Sequence, residues 1–164
     1  MALIKDNALV EDSYTSVAEG GSIPAGGAVI VHLTDWLAAR ERLLERGTSL
    51  GVRLKSDESP EQIADDLGRL DVVALEFPVF RDGRAYSNAR ILRERYGYKG
   101  EIRAVGEVLM EQLLFMLRTG FDAFEIESDD PLGDFRTAME DFSVWYQPAA
   151  DGRATAVQLR HRRS

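Results

Sequence analysis

The chain has no cysteine among its 164 residues, so it cannot by itself form a disulfide, a thiolate nucleophile, a thiolate-bound zinc, an iron–sulfur cluster or a cysteine-ligated haem. It has only two histidines, His32 and His161, which is too few for a multi-histidine metal site and leaves two candidate bases for a Ser-His-Asp triad. Basic residues are in deficit, 20 against 28 acidic, for a formal net charge of −8. A global field that would attract nucleic acid or an anionic membrane is therefore lacking. No apolar run approaches a membrane span, and Met1-Ala2-Leu3-Ile4-Lys5-Asp6 has neither a basic n-region nor an apolar h-region. These absences lead us to expect a cytoplasmic protein with no metal and no cofactor of its own, meeting neither nucleic acid nor membrane.

What is present suits one soluble globular domain: 45% of residues are hydrophobic and 29% charged. From about residue 29, short apolar stretches alternate with helical segments bounded by turn residues. The strands expected are Val29–Leu33, Gly51–Lys55, Val72–Phe77, Glu101–Val105, Asp122–Glu127 and Phe142–Tyr146. Ser59-Pro60-Glu61-Gln62 supplies an N-cap, a proline at the first helical position and a Gln at N3, the start of a helix presenting Ile63, Ala64 and Leu67 and stopping near Gly68. Gly47 and Gly120 are expected to end the first and fourth helices, and Asp130-Pro131 to start the fifth. Strands joined by one helix run parallel, which predicts an α/β fold of repeated βα units around a mainly parallel sheet.

The strands carry charges at their centres: Val52-Arg53-Leu54, Leu75-Glu76-Phe77, Ile102-Arg103-Ala104 and Phe124-Glu125-Ile126. Buried strands of an open doubly wound sheet read as continuous apolar runs, so this pattern favours a partial TIM-barrel-like sheet. Arg53, Glu76, Arg103 and Glu125 alternate in sign, and either form a charge ladder in the barrel interior or lie on a solvated face. Residues 1–28, with Gly20-Gly21 and Gly26-Gly27 around Pro24, form an N-terminal arm or hairpin that covers a sheet edge. Residues 29–146 hold the βα repeats, and 147–164 form a C-terminal tail ending in the basic Arg160-His161-Arg162-Arg163.

In parallel βα architectures the functional surface lies at the C-terminal strand ends. There the sequence offers His32 and Asp35, Lys55 to Glu58, the loop Pro78–Ser87, Gly106-Glu107 and Glu127–Asp130. The third loop is the most distinctive, because Arg81, Arg84 and Arg90 fall close together and Ser87 is placed to cap the next helix. Such a cluster suits an oxyanion or a partner's carboxylate; alternatively, its arginines pair with Asp82 and Glu94. Glu76, Glu107 and Lys55 are the acid–base candidates for catalysis. Glu76, Glu107, Glu127 and Asp129 form either a hard-cation site or a solvated acidic rim. The Gly20–Gly27 segment lacks G-x-G-x-x-G spacing, so nucleotide binding is not expected there. The fourth helix, Glu107–Arg118, is apolar nearly all round, which suggests burial under other helices or an oligomer interface.

Three stretches carry a resemblance: Phe77-Pro78-Val79-Phe80-Arg81-Asp82-Gly83-Arg84-Ala85-Tyr86-Ser87-Asn88-Ala89-Arg90, Gly97-Tyr98-Lys99-Gly100-Glu101-Ile102-Arg103-Ala104-Val105-Gly106 and Gly120-Phe121-Asp122-Ala123-Phe124-Glu125. Together they resemble a bacterial family known as domain of unknown function 934, over most of the chain beyond residue 29. Members are usually encoded beside sulfite reductase in assimilatory sulfate reduction, and are often labelled probable oxidoreductases of sulfite reduction. The resemblance thus implies an accessory protein of that pathway, with sulfite reductase or its electron donor as partner. Given the residue inventory, redox equivalents would have to come from that partner. The resemblance carries over no catalytic residue. A stand-alone barrel-type enzyme acting on a small anion, with Arg81, Arg84 and Ser87 holding the substrate, is the alternative reading, and a structural assembly subunit is a third.

Overall fold

A computed structural model describes residues 1–79, 81–140, 149, 154–155 and 158–159. Eight strands form one sheet: β1 (Ala2–Lys5), β2 (Ala8–Val10), β3 (Tyr14–Ser16), β4 (Ala28–His32), β5 (Leu50–Leu54), β6 (Val72–Phe77), β7 (Glu101–Gly106) and β8 (Ala123–Ile126). The helices are α1 (Leu33–Leu44), a 3-10 helix (Pro60–Arg69), α2 (Arg84–Arg90) continued by a π-helical turn (Ile91–Arg95), α3 (Met110–Thr119) and α4 (Pro131–Glu140). The expected strand Phe142–Tyr146 and the basic tail lie outside the described residues.

The strand order is β2-β1-β8-β7-β6-β5-β4-β3. From β4 to β8 the spatial order follows the chain, without the reversal that defines a doubly wound sheet. The sheet is nonetheless mixed, which corrects the mainly parallel sheet expected from the βα repeats. β3 to β8 pair in parallel, but β1 runs antiparallel to both β2 and β8. The cause is the N-terminal arm. Asp6 and Asn7, at φ 52° and 61°, turn β1 into β2, and that hairpin pairs along the edge of β8. The same arm then crosses to the far edge, where β3 pairs with β4. The result is a curled half-barrel of eight strands, both of whose edges end in three-residue strands.

All the helices pack on one face. Val29, Val31, Val52, Leu54, Val73, Leu75, Phe77, Ile102, Ala104, Phe124 and Ile126 share one buried cluster with Trp36, Ile63, Leu92, Leu113 and Phe135 of the helical layer. A second, smaller cluster of Ile30, Val72, Ala74 and Val105, with Tyr14 against it, lies on the opposite face. α3 is flanked by α2 and α4, which accounts for an apolar surface wider than one stripe. It starts at Met110 rather than at Glu107, because Gly106 takes φ 91° and Val108 turns back onto the Gly106 carbonyl. Gly120 ends it at φ 116°, and Pro131 opens α4. Ser59 caps the segment at Pro60 by accepting from the Glu61 amide at 3.3 Å, although the segment winds as a 3-10 helix. Among the described residues no helix is long and apolar enough to cross a membrane.

Candidate functional site

Alternation along each strand decides which charges share the helix-free face. Arg53 lies between Val52 and Leu54, both in the main core, so its side chain takes the other side. The registers Arg53↔Ala74↔Arg103↔Ala123 carry that face across four strands, and Glu76 and Glu125 lie two residues further along their own strands. All four charges singled out from the sequence therefore lie on this face, joined as two separate pairs. Arg53 Nε donates to Glu76 Oε2 at 3.1 Å, and Arg103 Nη1 donates to Glu125 Oε1 at 3.3 Å.

The two pairs differ in exposure. The Arg103 side chain is 1% exposed; its Nε donates to Glu101 Oε1 at 2.7 Å, its Nη1 to Asp12 Oδ2 at 2.8 Å, and its guanidinium carbon lies 5.6 Å from the centre of the Tyr14 ring. Lys5 Nζ donates to the other oxygen of Glu101 at 2.8 Å. Burial would lower the Arg103 pKa, but the hydrogen bonds it donates to Asp12 and Glu101 outweigh that effect and the net shift is upward. This is a structural network with a buried centre, Arg103 and Glu101, and a partly exposed rim, Asp12 and Lys5. Glu101 was not among the charges singled out from the sequence, although its place two residues before Arg103 in one strand is a local signal for it; Lys5, Asp12 and Tyr14 reach the network from the N-terminal arm, and no local signal in the sequence marks them.

Arg53 is more open, 27% exposed, and lies one residue from the end of β5. His32 is its register neighbour on β4, and the buried His32 Nδ1 has no hydrogen-bond partner. Lys55 is held by Glu19, at 2.7 and 2.9 Å from Nζ, and Glu19 also accepts from Thr34 at 3.0 Å. The hydrogen bond from Lys55 holds the Glu19 carboxyl below its ordinary range. Glu107 follows β7, and its amide donates to the Phe77 carbonyl at 2.8 Å. Of the catalytic candidates, Glu76 and Lys55 are thus both engaged in ion pairs. Glu127 and Asp129 are exposed beyond β8, and among the described residues no group of three or more metal-ligating side chains is arranged to hold an ion.

The arginine-bearing loop does not converge on one point. Arg84 donates to Asp82 from Nε at 3.0 Å and Nη2 at 2.6 Å, and Nη2 also reaches buried Ser56 Oγ at 3.0 Å. The Arg84 guanidinium holds the Asp82 carboxyl far below the usual carboxylate range. Arg90 pairs with Glu94 one turn on, at 3.2 Å. Ser87 does not cap α2. The helix starts at Arg84 with Gly83 in the cap position, which puts Ser87 inside its first turns. The physical reason is the Asp82 carboxylate, which accepts the Arg84 amide at 3.1 Å and so starts the helix earlier. Arg81 is exposed in the turn before it.

Beside this loop an apolar surface is uncovered. Phe115 of α3 is 56% exposed and meets Tyr86 of α2 edge-on, ring centres 4.8 Å apart, while Tyr86 in turn packs on buried Phe77 at 5.1 Å. Burial against these rings pushes the Tyr86 phenol up to about 12. Val79, two residues beyond β6, is also exposed. None of the curated proteins compared with the chain matches it. A family model does match, over residues 51–157, which include the arginine-bearing loop and Glu101, Arg103 and Glu125 of the network but not Lys5, Asp12 and Tyr14, and the chain accordingly belongs to the family described as bacterial protein of unknown function (DUF934).

Proposed function

We propose that this protein is an accessory protein of assimilatory sulfite reduction, which docks a cofactor-bearing reductase or its electron donor through the α2–α3 face. The observation that carries the mode of action is Phe115, an aromatic side chain more than half exposed and packed edge-on against Tyr86 of α2, the helix that carries Arg84 and Arg90 and follows Arg81. Exposed aromatic anchors accompanied by arginine are the composition of protein–protein interfaces, and with Arg84 and Arg90 already paired to Asp82 and Glu94 it is Arg81 that directs the surface toward an acidic partner. The choice of pathway rests on the family resemblance.

The test is co-purification with sulfite reductase from the same source, with complex mass and sulfite-reduction rate measured at low and high salt. A salt-sensitive complex that is lost on Phe115→Asp and weakened on Arg81→Ala is the expected result; no complex under either condition sinks the proposal. One observation favours the second reading, an enzyme acting on a small anion. The Arg53–Glu76 pair is partly open near the C-terminal strand ends, where a half barrel of βα units would place a substrate. Turnover by the isolated protein that is abolished in folded Glu76→Gln would replace the first reading with this one.

A further inference from the structure

A cavity of about 630 Å3 lies between the Gly20–Gly27 segment and α1, away from the α2–α3 face. Its walls follow from the local chain. Ala39 leaves helical geometry, at φ −128° and ψ 19°, so α1 kinks there, and neighbouring Ala38 is too small to fill the space. Ile23 and buried Leu43 supply an apolar floor.

The charges around this cavity are unusual for so acidic a chain. Six arginines elsewhere, Arg40, Arg53, Arg84, Arg90, Arg93 and Arg103, pair with carboxylates. Arg42, in the last turn of α1, and Arg46, two residues beyond its end, both line the cavity, and neither meets a carboxylate among the described residues. Arg46 is fixed in place by backbone, with Nη1 on the Pro24 carbonyl and Nη2 on the Gly27 carbonyl at 3.2 Å. Its buried Nε has no acceptor. A buried donor without a partner costs free energy that an incoming acceptor would recover. The one lining carboxylate, Asp35, is taken by the Gly20 amide at 3.0 and 3.2 Å. Two guanidiniums thus stand against one occupied carboxylate, above an apolar floor.

We propose that this cavity is a binding site for a small organic anion, its oxyanion group on Arg42 and Arg46 and its apolar body over Ile23, Ala39 and Leu43. The inference is independent of the docking face, because no residue is shared between the two. The experiment is amide NMR on the full chain, titrated separately with hexanoate, inorganic phosphate and hexylamine. Hexanoate should move the Gly20, Gly21 and Ala25 resonances in a saturable way, with phosphate weaker and hexylamine without effect. Arg42→Gln should weaken hexanoate binding about tenfold, the loss of one charge-assisted contact. Ala38→Phe should abolish binding with the circular dichroism spectrum unchanged. Arg46 is left intact, because its replacement would also release the Pro24 and Gly27 carbonyls. Absence of shifts at those amides, equal affinity for hexanoate in Arg42→Gln, or hexylamine binding as well as hexanoate would each overturn the site. Phosphate binding as tightly as hexanoate would overturn the apolar half of the assignment.

Discussion

Glu101 and Arg103 lie two residues apart on β7 with their side chains on one face, and Arg103 Nε donates to Glu101 Oε1 at 2.7 Å with both groups nearly sealed from solvent. Asp12 and Glu125 converge on the same guanidinium from the N-terminal arm and from β8. Arg103→Leu would leave three carboxylates without their common partner. Breaking a buried ion pair by removing one member costs about 3–5 kcal/mol, and urea unfolding of the variant should show a loss of that size. Arg103→Lys keeps the charge but not the planar fork, and should recover only part of it. A loss below about 1 kcal/mol for the leucine variant would contradict a cohesive role for the network.

Asp66 gives the protein a pH dependence whose sign follows from its partners. Arg40 donates to both its oxygens, at 2.7 and 2.5 Å, and buried Trp36 Nε1 donates at 3.2 Å. The Arg40 hydrogen bonds hold the carboxyl below its ordinary value despite the opposing effect of burial. A carboxyl whose pKa is depressed by folding stabilises the native state above its unfolded pKa, near 4, and loses that contribution as pH falls through the folded value. Stability should therefore decline below about pH 4. In Asp66→Asn the decline should be shallower and the stability at pH 7 lower. An identical acid limb in wild type and variant would assign the effect to other groups.

The fold was legible where the signal was local. Pro60 after Ser59 and Pro131 at the start of α4 fix φ through their own rings, Gly120 after α3 permits the left-handed turn that ends a helix, and each marks an element boundary in the structure. The central charges of β5, β6, β7 and β8 were legible as one face because alternation is also local. Ser87 misled because the competing Asp82, five residues earlier, captures the Arg84 amide and starts the helix first. The antiparallel pairing of β1 with β8 was not legible, since it joins chain segments more than a hundred residues apart and depends on edge availability rather than on pattern. The cavity at α1 was equally hidden, because its existence turns on the departure of one residue, Ala39, from helical geometry.

Gly106 sits where β7 meets the C-terminal strand ends, and only glycine suits it. It takes φ 91°, and a Cβ there would lie 2.6 Å from the carbonyl oxygen of Phe77, its register partner, which already accepts the Glu107 amide. Gly106→Ala combines positive-φ strain with a backbone clash and should cost about 2 kcal/mol or more. The measurement is the urea midpoint, with Gly68→Ala as control, since a Cβ at Gly68 meets nothing within 4 Å and its φ is not positive. Equal midpoints for the two variants would refute the argument.

The β1–β2 turn offers a test of the opposite sign. Asp6 and Asn7 both take left-handed φ, the conformation of a two-residue hairpin turn whose preferred second residue is glycine. Asn7→Gly relieves that conformation and should leave stability unchanged or raise it by a few tenths of a kcal/mol, while Asn7→Ala adds about 1 kcal/mol of strain. The consequence extends beyond the turn, because β1 covers the edge of β8 along Ala2↔Ile126 to Lys5↔Ala123 and delivers Lys5 to Glu101. Hydrogen exchange at the β1 and β8 amides should therefore accelerate together in Asn7→Ala, with β5 and β6 unaffected. Faster exchange confined to β1 and β2 would mean that the hairpin opens without exposing the sheet edge it covers.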